Sequence, residues 1–130
     1  MNRAEALRRT GEADYLLLID MNEKNTKFQV PSKLFDYLRI GRPILCYTPR
    51  GSETQSILNQ AGVPATIIES EATAAEADLA LLEFLKRPNT AVKMSDWARR
   101  KFDAHEITRI LASHFRSPLP VSARKELTRA

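Results

Sequence analysis

Three short runs of apolar residues stand out along the chain, each bounded by polar or turn-forming residues. They are Tyr15–Ile19, Pro43–Tyr47 and Ala65–Ile68. The first two runs are apolar at consecutive positions, without the polar alternation of a strand that has one face in water, and the third is short and rich in β-branched residues. Such runs are typical of strands buried on both faces of a parallel sheet. We therefore predict three parallel strands.

Helical patterns separate and follow these runs. Gly11, Gly41, Gly62 and Pro88 are expected to end four of the helices, and Ser52 to cap one. The fourth helix is predicted to be strongly amphipathic, with Ala75, Leu79, Leu82 and Leu85 at helical spacing. The predicted helices are 2–10, 32–40, 53–60, 72–85, 91–101 and 104–115.

The alternation of strand and helix predicts an α/β fold with a partial Rossmann-like parallel sheet of three or four strands, flanked by helices and followed by C-terminal helices. Because three strands are few for such a sheet, we expect further strands to be missing, most simply from before residue 1. The predicted domain covers residues 1–116. Residues 117–130 lack apolar periodicity and are expected to form a mobile tail.

Composition is that of an ordinary globular domain, with 43% hydrophobic and 28% charged residues in 130. Cys46 is the single cysteine, which excludes a disulfide framework and a cysteine-based zinc site. No apolar run is long enough to span a bilayer, and the N-terminus lacks a signal-peptide core. A cytoplasmic location is therefore expected.

The net charge of +4 suits attraction to phosphates or, as a peripheral association, to an anionic membrane surface. The excess basic residues come late in the chain, and no aromatic residues are interleaved with them. Nucleic-acid binding is accordingly not expected.

Ligands of doubly wound folds bind beyond the carboxyl ends of the strands. The first of these ends leads into a helix that starts at Ser32 and Lys33, where free backbone N–H groups and the lysine favour phosphate. Asp36, one turn later, could accept two hydrogen bonds from a cis-diol such as ribose. The alternatives are a plain serine cap, a solvated lysine and a surface aspartate favoured by the helix dipole.

Other catalytic signatures do not occur. The chain has no glycine-rich phosphate loop, no GxSxG and no HExxH. His105 and His114 are too far apart to share a metal. The catalytic residues stay unknown, and no metal is expected.

The stretch VPSKLFDYLRIGRPI, residues 30–44, resembles the "VPSKLFEYLAAGRPIL" stretch of retaining GT-B glycosyltransferases, the group that includes glycosyl transferase families 1 and 4. Before it, Ala13–Leu18 resembles the group's "ADVLLL" strand more weakly. After it, Gly51–Thr54 and Gln60–Val63 resemble "GSEAAELLEEAGAG". The match covers roughly residues 12–87. It implies the C-terminal, donor-binding part of such an enzyme, with a nucleotide-diphosphate sugar as donor and no other cofactor.

The resemblance also implies individual roles. Asp36 takes the position of the acidic residue that contacts the donor ribose, and the diphosphate and sugar would be bound by Pro31, Ser32, Lys33 and Leu34. A second acidic residue of many members is replaced by Phe28. The family's diphosphate-stabilising basic residues and its acceptor-binding N-terminal domain have no counterpart. The resemblance therefore implies a chain that is inactive alone or needs a missing N-terminal domain or partner chain.

Two other functions fit the sequence. A non-catalytic Rossmann-like module that docks on another subunit would explain the short sheet through its uncovered edge. A response-regulator-like domain has less support, because Asp20 stands at a strand end without an acidic pair before it.

Overall fold

The computed structural model describes residues 2–20 and 29–116. It divides into two units, Met1–Arg99 and the residues from Arg100 onward. The elements in chain order are α1 (Arg3–Glu12), β1 (Leu16–Ile19), α2 (Lys33–Ile40), β2 (Ile44–Thr48), α3 (Glu53–Gln60), β3 (Ala65–Glu69), α4 (Ala74–Leu85), α5 (Asp96–Lys101) and α6 (Ala104–Arg116).

The three strands form one parallel sheet in the order β1-β2-β3. Leu16 is in register with Ile44, and Ile44 with Ala65. The right-handed rule for such crossovers places α2 and α3 on the same face of the sheet. The predicted α/β class, with a Rossmann-like parallel sheet and C-terminal helices, is therefore confirmed.

The two faces of the sheet differ sharply in burial. The face that carries Leu18 and Cys46 is closed, with exposures of 2% and 0%, and the buried leucines of α2 pack in the same core. On the other face Leu17, Ile19 and Tyr47 are 56%, 55% and 40% exposed. We call these three residues the open face. All three strands supply apolar residues to both sides, but in the described residues only one side of β1 and β2 is completely buried.

Helix α4 covers one end of the sheet face that carries Leu17, Ile19 and Tyr47. Its Phe84 is buried and stacks edge-on against Tyr15, with 5.2 Å between the ring centroids. The amphipathic pattern predicted for this helix was therefore wrong in orientation, since Ala75, Leu79, Leu82 and Leu85 are exposed. Leucines lie on several sides of α4, and the large ring of Phe84 decides which side packs inward.

A strap, residues 87–95, runs along the amino ends of the strands. Its Asn89 donates to Asp14 before β1, its Val92 N–H donates to the carbonyl of Gly41 before β2, and its Ser95 N–H donates to the carbonyl of Ala61 before β3. Gly41 has φ +74°, and a Cβ there would lie 2.1 Å from the Val92 carbonyl oxygen. The close approach of the strap therefore requires glycine at this position.

Several predicted boundaries need correction. Helix α1 continues through Gly11 to Glu12, because Ala13 is the extended residue that ends it and its N–H reaches the Thr10 carbonyl. The helix predicted over 91–101 begins only at Asp96, since the residues before it belong to the strap. Helix α4 starts at Ala74, where Thr73 and Glu76 form a capping box. Among the helices described, none is long and apolar enough to cross a bilayer.

Candidate functional site

The carboxyl edge of the sheet is the natural place for a ligand in this fold. Asp20 follows β1 there, Pro49–Ser52 follows β2 and Ser70–Thr73 follows β3. The amino ends of α2, α3 and α4 lie at the same edge, because each helix runs antiparallel to the strand before it. The opposite edge is occupied by the strap, so the carboxyl edge is the one left for binding.

The start of α2 presents two polar side chains to solvent. Ser32 and Lys33 are both exposed. Among the described residues, the Ser32 hydroxyl makes no capping bond to the helix, and the backbone of Ser32 is already helical, at φ −59° and ψ −29°. The side chain of Ser32 therefore does not cap α2, which was the alternative interpretation of this residue. Both side chains reach solvent, where a ligand could contact them.

Pro31 and Leu34 flank this turn in a different way. The Leu34 N–H donates to the Pro31 carbonyl at 3.0 Å, which closes the turn. The Leu34 side chain is completely buried in the core. Leu34 can therefore contribute no side chain to a ligand, and its role is to fix α2 against the sheet.

Asp36 lies in the first turn of α2 with its side chain 26% exposed. Its Oδ1 is 3.9 Å from a guanidinium nitrogen of Arg3, whose side chain is 82% exposed. That separation exceeds hydrogen-bond range, and an ion pair with so exposed a partner contributes little. The carboxylate is thus held in place by its helix, yet it can still accept hydrogen bonds from a ligand.

A buried polar cluster lies beside this site. Asp20 is 5% exposed, and its Oδ2 accepts hydrogen bonds from Thr48 Oγ1 at 2.8 Å and Thr54 Oγ1 at 2.9 Å. Ser52 Oγ lies 2.7 Å from Thr48 Oγ1 and accepts from the Gln55 N–H, which caps α3. The cluster joins the ends of β1 and β2 to the start of α3.

Sequence reasoning noted Asp20 at a strand end but missed this cluster. The sequence signal for the cluster was an aspartate directly after one apolar strand, together with three hydroxyl residues at and after the end of the next strand, Thr48, Ser52 and Thr54. Cys46 lies on the same face of the sheet, and burial together with the charge of Asp20 raises the pKa of its thiol to about 12. The interpretation of Cys46 as a buried small residue is therefore confirmed.

Arg50 is the basic residue of the loop after β2. Its Nε donates to Glu69 at 2.7 Å, and its backbone N–H donates to Glu71 at 3.0 Å. Hydrogen bonds from Arg50 lower the pKa of both glutamates. The cleft beside them has a volume of about 310 Å³, and Gln55 and Ile68 contribute to its lining. Glu69 and Glu76 line the cleft together with Arg50, so its charge does not favour a phosphate.

Ser32, Lys33 and Asp36 lie in the cap and first turn of α2, and their part in ligand binding stays a prediction. Phe28 lies outside the described residues. No group of three potential metal ligands occurs in the described part of the chain. His105 and His114 belong to α6 in the second unit.

The architecture defines a Rossmann-like α/β domain with a three-stranded parallel sheet. Comparisons of the chain with protein-family models, curated proteins and solved structures found no match.

Proposed function

We propose that this chain is a donor-binding domain of glycosyltransferase type, which binds a nucleotide-diphosphate sugar at the carboxyl edge of its sheet. Asp36 accepts hydrogen bonds from the ribose hydroxyls, while Lys33 and the N–H groups at the start of α2 contact the diphosphate. Pro31, Ser32 and Leu34 shape the turn that presents these groups.

The observation that carries the proposal is the position of Asp36. The Asp36 side chain is about three-quarters buried on α2, and among the described residues its ion-pair partner Arg3 is 3.9 Å away, beyond hydrogen-bond range. Both oxygens of a carboxylate can accept, which matches the two neighbouring hydroxyls of a ribose. The resemblance to the GT-B motif assigns the same role to this position.

Glycosyl transfer itself needs more than this domain. An acceptor site and positive charge at the leaving diphosphate are required, and Arg50 is already paired with carboxylates. The open face, Leu17, Ile19 and Tyr47, supports a missing N-terminal domain or a partner chain, because parallel sheets are normally covered on both sides. In this proposal the chain alone binds donor without catalysing transfer.

Titration calorimetry with UDP, GDP and their sugar conjugates tests the proposal. We expect Asp36→Ala to weaken binding at least about tenfold, since two hydrogen bonds to a charged group are lost. The same variant should lose discrimination against a 2′-deoxynucleotide. Asp78→Ala, which removes an exposed aspartate of α4, is the matched control and should bind as the parent does.

The two halves of the site can be separated in the same experiment. Lys33→Ala should weaken the binding of the nucleoside diphosphate but not that of the nucleoside, because its charge acts on phosphate alone. Absence of nucleotide binding at millimolar concentration, or equal binding by the Asp36→Ala variant, would refute the proposal.

The open face also favours a second candidate function, a non-catalytic module that docks on another subunit. This alternative needs no ligand at α2 and predicts association through Leu17, Ile19 and Tyr47. Sedimentation of the chain separates the two: an assembly that Ile19→Lys abolishes, without nucleotide affinity, would favour the docking module.

A further inference from the structure

Helix α6, Ala104–Arg116, has a continuous apolar face. Ile107, Ile110, Leu111 and Phe115 follow the spacing i, i+3, i+4, i+8, which places them on one side of a helix. All four are exposed, and Phe115 is the most exposed of them at 86%. His114 lies among them, and Thr108 lies at the margin of this side, seven residues before Phe115. Exposure of four large apolar side chains on one helix indicates a surface that binds something.

The other side of α6 is polar, and several of its groups are bonded within the helix. Arg109 donates to Glu106 at 3.0 Å, and Thr108 and Ser113 donate to backbone carbonyls of the helix itself. This side needs no further partner to remain in water. The helix is therefore amphipathic, with a hydrated side and an uncovered apolar side.

The charge of the chain is concentrated in the segment that contains α6. Residues 100–130 hold seven Lys and Arg against three Asp and Glu, a formal charge of +4, whereas residues 1–99 hold thirteen of each kind. The whole net charge of the protein therefore belongs to this segment. An apolar helix face within a strongly basic segment is the combination that binds anionic bilayer surfaces.

We propose that α6 is a membrane-surface helix, which lies in the plane of an anionic bilayer with Ile107, Ile110, Leu111 and Phe115 in the boundary between headgroups and acyl chains. At 1.5 Å per residue its 13 residues span about 20 Å, less than the bilayer core of about 30 Å, so it lies on the surface and does not cross. The net positive charge of residues 100–130 attracts the anionic headgroups. This proposal is independent of donor binding at α2.

Flotation of the full chain with lipid vesicles tests it. We expect binding to vesicles that contain phosphatidylglycerol, at least about tenfold weaker binding to pure phosphatidylcholine, and loss of the difference in high salt. Phe115→Ser and Ile110→Ser should each reduce vesicle binding severalfold. Both side chains are exposed, so folding should persist, and circular dichroism of each variant checks this.

Leu82→Ser is the matched control, because it removes an equally exposed leucine from α4 in the part of the chain with balanced charge. It should leave vesicle binding unchanged. Equal binding by the Phe115→Ser and parent chains would overturn the proposal. So would a concentration-dependent dimer that Phe115→Ser abolishes in a chain without vesicle affinity, since α6 would then bind a second copy.

Discussion

The two faces of the sheet are built from the same three strands, yet they have opposite surroundings. Leu18 and Cys46 are buried beneath α2 and α3, while Leu17, Ile19 and Tyr47, one position away along the same strands, remain open to solvent. Residue type does not explain this difference, because both sets are apolar. The difference lies in what covers each face: the first face is closed along β1 and β2, whereas α4 covers only one end of the other.

The largest expected change in stability comes from a substitution on the covered face. Leu18→Ala should lower the free energy of unfolding by about 2–5 kcal/mol, because it leaves a cavity in a closed core. Leu17→Ala, the same change on the open face, should cost less than about 1 kcal/mol. Urea unfolding of both variants measures the contrast. Equal losses would mean that the open face is covered in solution.

A second prediction concerns the polar end of the covered face. Asp20→Ala leaves the buried hydroxyls of Thr48 and Thr54 without their acceptor, at a cost of about 1–3 kcal/mol in unfolding free energy. Asp14→Ala is the control, since Asp14 is exposed and its bond to Asn89 lies at the other end of the sheet. A loss in Asp20→Ala no larger than that of the control would show that the cluster contributes nothing.

The smallest expected change in stability is a pH dependence that arises from the thiol of Cys46. Its pKa is raised from 9.0 to about 12, so folding favours the protonated form. The resulting stability is complete below pH 9 and is lost as the pH rises from 9 towards 12, because the unfolded chain ionises first. Between pH 8 and 10 this loss should be about 1.4 kcal/mol. The Cys46→Ala variant should lack this component of the pH dependence.

The reactivity of a thiol on each face of the sheet gives a further comparison of the two faces. The Cys46 thiol should react with a disulfide reagent only as fast as the protein unfolds, because it is buried and protonated. A cysteine placed on the open face by Tyr47→Cys, in a Cys46→Ala background, should react at the rate of an exposed thiol. Rapid labelling of Cys46 in the native chain would contradict the closed core.

The sequence was sufficient for the strands and most helices, because unbroken apolar runs and glycine stops reflect local rules. It failed for α4, where leucines on several sides give no unique inner face and the packing of Phe84 against Tyr15 decides the orientation. It also missed the Asp20 cluster, since bonds from Thr48 and Thr54 depend on which strands become neighbours. Ser32, Lys33 and Asp36 were found from position and resemblance, and their role in binding stays a prediction.

The strap has a consequence for synthesis of the chain on the ribosome. Asn89 bonds to Asp14, 75 positions earlier, and Val92 and Ser95 hold the starts of β2 and β3 in the same way. A nascent chain that ends before residue 89 has every strand but none of these ties. The three strands are complete by Glu69, so the bonds that tie their starts together form only after a further stretch of chain, up to Ser95, has been made.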